Sequence, residues 1–530
     1  MRYLISFLLL MILPMLGFAQ VVGPVDSKFN SIRQNGVSTM ASIGDTVWIS
    51  PTLNRNIDNR PEWFTPENAD SVLSGKGRVF SLALAKDTVL AGLGYSAEIE
   101  SGTVHAAFGY YKSINGGENW DYIPFYTDPR GDGDTTFVYG GQTYDRIRIT
   151  VPQQSPPYMV DFKGDVIFSA NWASGLLRST DFGESWQRVV LPPFSELNLT
   201  PENENYYWAS CTDTDSDGNC IESENLYDNV DDDNLKGFGV LIDSQDRVWF
   251  GSAGGINISE DALTAPIDSI SWKHIRSDNT PTGLLGNWII SMKEEPGTGR
   301  IWMTNWIATE PQKQGLVYTE DGGDTFNQML IGQRINDIGF KDGYVFATGD
   351  DGLFISDDSG DTWIKSPQIK SPNTFLKPSA VFYTATATTE RIWIGTDDGV
   401  ASHECCSPGQ RFDNWQITRV DFPLKGGNIF DSDAPDVNTY AYPNPFSPEV
   451  YDLVRIKFEV KEQSNVQVRI FDFGMNLVRE LETEGNYVAG TYEAVWDGND
   501  GKGRKVANGP YFYVVESGDL QIKGKILVVE

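Results

Sequence analysis

One short pattern occurs four times in this chain, and it restricts the fold more than any other feature. The copies are Ser113-Ile-Asn115-Gly-Gly117-Glu-Asn-Trp120, Ser179-Thr-Asp181-Phe-Gly183-Glu-Ser-Trp186, Thr319-Glu-Asp321-Gly-Gly323-Asp-Thr-Phe326 and Ser356-Asp-Asp358-Ser-Gly360-Asp-Thr-Trp363. The template is a hydroxyl, any residue, Asp or Asn, any residue, Gly, two residues and an aromatic. Each part has a mechanical role in a tight hairpin. The short Asx side chain accepts hydrogen bonds from turn amides, and Gly supplies the positive φ that the turn needs. The aromatic opens the next strand and packs into the core.

Around these turns, strand signals recur at intervals of about 40 residues, the repeat length of propeller blades. The clearest are short apolar runs: Val248-Trp-Phe-Gly251, Ile301-Trp-Met303, Val345-Phe-Ala347 and Ile392-Trp-Ile-Gly395. A second short strand such as Gly352-Leu-Phe-Ile-Ser356 follows and runs into the repeated turn. Seven such units span approximately 37–64, 77–125, 145–192, 236–276, 286–331, 334–370 and 378–422. The first and seventh lack a good turn pattern. The fourth holds a broken one, Ser259-Glu-Asp261, with Trp272 displaced by an inserted loop. Radial repetition suits the pattern because it leaves only short, protected strand edges.

The repeated turn resembles the Asp-box of sialidases, sortilin-type receptors, xyloglucanases and photosystem II assembly-factor propellers. In those families the boxes lie on blade hairpins away from the ligand site, so the resemblance implies a fold and not an activity. The expected fold is all-β: a seven-bladed β-propeller, six to eight blades being compatible with the pattern, followed by a small Ig-like β-sandwich.

The N-terminus reads as a processing signal. Arg2 supplies the positive region, Leu4 to Leu16 is apolar, and Gly17-Phe-Ala19 offers small residues for cleavage before Gln20. The apolar run is short for a membrane span, and no Cys follows it to carry a lipid. Residues 1–19 are therefore expected to be a signal peptide, and the product secreted, extracellular or at the outer surface of a bacterial cell, with no membrane span. The formal charge of −32 argues against nucleic acid and anionic membrane as partners.

The chain has four Cys and three His. A Cys211–Cys220 bridge is favoured because it would close a short acidic loop. Cys405 and Cys406 are adjacent, so a bridge between them would be strained; free thiols or a link to another Cys are equally open. No His/Cys cluster has zinc spacing.

The largest interruption of the repeat, at about 195–235, contains Asp213-Thr-Asp215-Ser-Asp217-Gly218-Asn219-Cys-Ile-Glu-Ser-Glu224. This fits the calcium-loop template D-x-D-x-D-G-x5-E. Alternating carboxylates can converge on a hard cation, and a terminal Glu can bind it bidentately. The expected ligands of a structural Ca2+ are Asp213, Asp215, Asp217, Asn219 and Glu224; the alternative is an acidic surface loop. Asp231-Asp-Asp233 reads as a solvated loop, and Arg130-Gly131-Asp132 as a chance triplet in a Gly/Asp-rich loop.

Residues 423–440, with Pro423, Gly426, Gly427 and Pro435, read as a linker between a propeller at 20–422 and a module at 441–530. The module opens Tyr442-Pro-Asn-Pro-Phe446 and then alternates apolar and polar residues, as in Val454-Arg-Ile-Lys-Phe458 and Val466-Gln-Val-Arg-Ile470. Together with Ile470-Phe-Asp472, the Trp496-Asp-Gly498 turn and Gly509-Pro-Tyr-Phe-Tyr513, it resembles the Ig-like domain of flagellar hook-capping proteins. It also resembles the C-terminal sorting domains of the type IX secretion system, although Trp496-Asp-Gly-Asn-Asp500 is nearer the hook-capping version. The resemblance implies a terminal export or anchoring role, with the secretion machinery as a partner.

These features favour a non-catalytic binding propeller for a glycan or protein ligand. Trp172, Trp288 and Trp306 are aromatics available to a ligand face, although packing between blades is the preferred reading for Trp172 and Trp306, which repeat an Asn-Trp phrase. The alternative is a glycoside hydrolase of sialidase-like or xyloglucanase-like type. Such enzymes need paired carboxylates or a Tyr nucleophile with its partners. No Arg-Ile-Pro motif occurs, and no carboxylate pair stands out by spacing. A protein-interaction scaffold is a third class, and no sequence feature separates it from the first.

Overall fold

The structure, a computed structural model, describes residues 20–21, 27–29, 31–60, 62–66, 77–131, 135–216, 219–421, 438–481, 483 and 485–530. The signal segment 1–19 and most of the 423–440 linker lie outside the described residues, as do Asp132, Asp217 and Gly218.

From residue 40 to residue 418 the described chain forms seven antiparallel four-stranded meanders in sequence order. Their first strands are Met40–Ile43, Gly77–Ala85, Pro157–Lys163, Gly237–Ile242, Trp288–Glu294, Ile335–Lys341 and Phe382–Ala387. Each touches the first strand of the next meander, and the seventh touches the first. The result is a closed ring, a β-propeller, with these strands innermost. Second strands such as Val248–Ser252 and Tyr344–Gly349 are buried along their whole length. Neighbouring sheets cover both faces, which explains why they read as continuous apolar runs and not as alternation. Backbone bonds close the circle, with Val37 N donating to Thr396 O at 2.8 Å and Gly399 N to Asn35 O at 2.8 Å.

The repeated turns stitch neighbouring sheets together. In all four, the Gly amide donates to the hydroxyl four residues earlier, at 2.8–2.9 Å. The Asx oxygen accepts the amide of the residue before the aromatic at 2.8–2.9 Å. Gly117 and Gly360 have φ of 91° and 96°. A Cβ on either would sit 2.5–2.6 Å from Trp48 or Trp302 of the preceding sheet. Glycine is therefore required twice over, for conformation and for the seam. The interrupted copy also closes: Asp261 Oδ1 accepts from Ser271 N at 3.0 Å across the insert, and Trp272 is 2 % exposed.

The insert between the third and fourth meanders packs against a second insert, which lies between the second and the third. The third meander begins at Pro157, not near 145. Residues before it form a separate hairpin, Thr136–Tyr139 with Gln142–Asp145. That hairpin packs Phe137 and Tyr144 against Trp208 and Tyr227 of the 195–235 segment, with ring centroids 5.1–5.7 Å apart. A buried Arg188–Asp128 pair at 2.6 Å fixes this unit to the ring.

The second half of the insert is a hairpin, Ala209–Thr214 with Cys220–Asn225, bridged by Cys211–Cys220. Cys405 and Cys406 are also bonded to each other, the pairing that the sequence reading disfavoured.

The C-terminal module is a sandwich. One sheet orders Thr439–Tyr442, Val454–Val460 and Gly490–Trp496; the other orders Leu477–Leu481, Ser464–Phe471, Gly509–Ser517 and Leu520–Val528. Alternate residues Val466, Val468 and Ile470 face Ile456, Phe458 and Trp496 in one core. The sandwich meets the seventh meander through Asp398, Arg419, Arg455 and Glu493.

Candidate functional site

A meander reverses direction at every strand. The starts of the inner strands, the turns between second and third strands and the connections between meanders therefore gather on one face of the ring. A cavity of about 450 Å³ opens there and takes wall residues from every meander, including Thr39, Ser81, Tyr158, Phe238, Lys293, Asp337 and Thr384. Its size falls in the range of small-ligand pockets.

The floor is an ion pair with no spare capacity. Asp337, 7 % exposed, accepts from Lys293 Nζ at 2.7 Å, Thr384 Oγ1 at 2.8 Å, Ser291 Oγ at 2.8 Å and Ala385 N at 3.1 Å. Lys293 Nζ also donates to Ile338 O and Ala385 O at 2.8 and 3.0 Å. The pair ties three adjacent inner strands together. Among the described residues lining the cavity, Asp337 is the one carboxylate.

The rim is aromatic. Ring contacts run from His105 to Phe80 (5.2 Å), Tyr158 (6.1 Å) and Phe238 (6.0 Å), and from Phe238 to Trp172 (5.1 Å) and Trp288 (5.4 Å). This path crosses four meanders, and every ring on it is half-buried. Trp306 lies further round, donating Nε1–H to Ile335 O at 2.8 Å beneath the Arg334 guanidinium, 3.8 Å from its ring centre. Trp172 and Trp306 thus do pack between meanders, as preferred, and each also keeps part of its surface open on this face. Sequence reasoning missed Phe80, His105, Tyr158 and Phe238. One signal was available: Tyr158, Phe238, Asn336 and Tyr383 all occupy the second position of an inner strand and all line the cavity.

Cations sit among the rings. Lys236 Nζ is 5.6 Å from the Trp172 centroid, and Arg78 is 4.9 Å from that of Phe80. Arg78 Nη2 donates to His105 Nδ1 at 2.8 Å. Burial, and then the Arg78 charge, hold the His105 pKa below its ordinary value, so the imidazole stays neutral and can accept that bond.

The predicted calcium ligands are only partly brought together. Asp215 Oδ1 accepts from Asn219 N at 2.8 Å and Oδ2 from Asn219 Nδ2 at 3.0 Å, across the hairpin turn. Asp213 precedes them on the strand and caps Thr214 N. Glu224 stands opposite Ser210, at the far end of the ladder from the turn. Asp217 lies outside the described residues, and among those described no group of three His, Cys, Asp or Glu is arranged to hold a metal. The Asp231–Asp233 segment is not simply solvated: Asp232 is buried and accepts from Phe194 N at 2.9 Å.

Residues 452–520 match the FlgD Ig-like domain family. No curated protein matches the chain. Among solved structures it is similar to YCF48 from Cyanidioschyzon merolae at 14 % identity and TM-score 0.40, covering 71 % of this chain and 97 % of that one. It is similar to the GH74 enzyme of Niastella koreensis at 11 % and 0.45, covering 96 % and 74 %. PorZ of Porphyromonas gingivalis, a surface component of the type-IX secretion system, is similar at 12 % and 0.26, covering 93 % and 87 %. Scores this low carry no argument about chemistry. No helix of the described residues is long and apolar enough to cross a membrane.

Proposed function

We propose that this chain is an exported, non-catalytic binding protein that takes a glycan or protein ligand at the aromatic mouth of its Asp-box propeller. Under this reading residues 1–19 direct export and the C-terminal sandwich serves as a sorting or anchoring module for type IX machinery. One observation carries the binding part: half-buried rings line a cavity in which Asp337, the one carboxylate among the described lining residues, is saturated by four donors. A glycoside hydrolase needs a second carboxylate roughly 5–9.5 Å from the first, flanking the bond it cleaves. The hydrolase remains the alternative.

The test uses the full-length chain with two readouts, a glycan and protein ligand array and an assay of released sugar. Binding without release, weakened at least about tenfold by Trp288→Ala as expected for loss of a stacking ring, supports the reading. Sugar release, or binding indifferent to Trp288→Ala, overturns it. N-terminal sequencing of the protein recovered from outside its own cells should begin at Gln20; recovery only inside them removes the export part.

A structural Ca2+ at the tip of the 209–225 hairpin is a second proposal. The motif supports it, but among the described residues the ladder register leaves Asp213, Asp215 and Asn219 near the turn, without Glu224.

A further inference from the structure

We propose that the aromatic mouth recognises a carboxylate-bearing sugar, a uronic acid within an oligosaccharide, and that Arg78 pairs with its carboxylate. The inference deepens the binding reading above and rests on it.

The first argument is charge. The chain carries 73 Asp and Glu against 41 Lys and Arg, so cations are scarce, and four of those around this face are paired. Lys236 pairs with Asp233 at 2.6 Å, Lys293 with Asp337 at 2.7 Å, Arg334 with Asp350 at 3.7 Å and Lys377 with Asp397 at 2.7 Å. Arg78 has no carboxylate among the described residues. Its contacts are a neutral imidazole and the face of Phe80.

The second argument is donor geometry. A guanidinium offers five N–H donors in a planar fork. Here the one bond to protein comes from Nη2 and goes to the acceptor nitrogen of the neutral His105 ring. The remaining donors suit the two oxygens of a carboxylate, the pairing that Arg makes bidentately. Phe80 beneath and His105 beside the guanidinium restrict its rotamers, so less ordering remains to be supplied on binding.

The third argument is the surface leading away from Arg78. From Phe80 the ring path continues through Tyr158 and Phe238 to Trp288, while Thr39, Asn336 and Thr384 line the cavity beside it. Rings that stack on CH faces, next to hydroxyl and amide groups that bond OH groups, suit a pyranose. A carboxylate at one end of such a platform is the acid of a uronic sugar.

The experiment is calorimetric titration of the full-length chain with uronic-acid oligosaccharides and with their methyl esters, which keep shape and lose charge. The acid should bind roughly ten- to hundredfold tighter than the ester, the range of a hydrogen-bonded charged pair. Arg78→Gln should abolish that preference and leave ester affinity within about twofold. Arg78→Lys, which keeps charge without the fork, should retain part of it. Trp288→Ala should weaken acid and ester alike. Equal binding of acid and ester by the unsubstituted chain, or equal loss of both in Arg78→Gln, overturns the assignment and leaves the binding reading standing. Preference for a peptide acid over its amide, with no uronic sugar bound, overturns the sugar class. Binding of no member of either series defeats this inference and the binding reading together.

Discussion

Asp232 sits at the start of the short 3-10 turn Asp233–Leu235, with Oδ1 accepting from Asn234 N at 2.8 Å and Oδ2 from Phe194 N at 2.9 Å. Burial pushes its pKa up to about 6, against the pull of those two amides. The folded state thus holds this proton more tightly than the unfolded chain, whose value is 3.8. The contribution of Asp232 to stability is therefore largest below the unfolded value and is lost as pH rises through the folded one. Asp232→Asn removes that dependence. The stability gap between the original chain and the variant should narrow between pH 4 and pH 7, by on the order of 3 kcal/mol. Melts at the two pH values check it, and a constant gap would mean that Asp232 does not titrate in this window. The burial was not legible because the amide that pins Asp232 belongs to a residue 38 positions away. In the repeated turns every partner lies within four residues. Those turns could be read directly from sequence; Asp232 and Asp337 could not.

Hairpins and meanders obey the same division. A meander is a run of local pairings, so apolar runs and turn residues marked the strands well. The hairpin at 136–145 falls between the second and third units of the repeat, and it is not legible because the aromatic partners of Phe137, Trp208 and Tyr227, arrive only after the third unit is complete. The calcium motif shows the limit of spacing alone. Its template assumes a loop that folds Glu224 back toward the first Asp, whereas β-pairing places it opposite Ser210. If the tip binds Ca2+, EDTA should lower the melting temperature, Asp215→Ala should abolish that sensitivity, and Glu224→Ala should preserve it. An unchanged melt, with no calcium in the purified chain, would make the hairpin an acidic surface element held by Cys211–Cys220 and its ladder alone.

At the scale of the whole molecule the two domains share a buried ionic cluster that neither could assemble alone. Asp398, in a turn of the last meander, accepts from Arg419 at 3.0 Å and from Arg455 of the sandwich at 2.9 Å. Glu493 of the sandwich lies 3.4 Å from Arg455 and 3.7 Å from Arg419, and accepts from Thr374 Oγ1 at 2.8 Å. Both domains contribute one carboxylate and one guanidinium, so the cluster is neutral and hydrogen-bonded, the condition under which burying charge is tolerated. Burial alone would raise the Asp398 pKa, but the Arg419 and Arg455 charges outweigh it and hold the carboxyl below its ordinary 3.8. For a depressed carboxylate the stabilisation is present above the unfolded value and disappears as pH falls through the folded one. Docking should therefore hold from neutral pH down to the ordinary carboxylate range and fail only below it. Arg455→Ala leaves Asp398 and Glu493 facing Arg419 alone, a loss in the range of about 3–5 kcal/mol for a broken buried pair. That variant should separate the unfolding of the two domains into two calorimetric transitions and raise the radius of gyration measured by X-ray scattering at pH 7. The original chain should show the same expansion only below pH 4. A single unchanged transition with an unchanged scattering profile would mean that other contacts, among them Ser379 with Asp452 and Asp421 with Tyr440 and Lys457, hold the sandwich without the cluster. Because Asp398 lies on the face where the cavity opens, the sandwich is held on the side of the ligand mouth, and its release by Arg455→Ala should leave the Trp288-dependent binding intact.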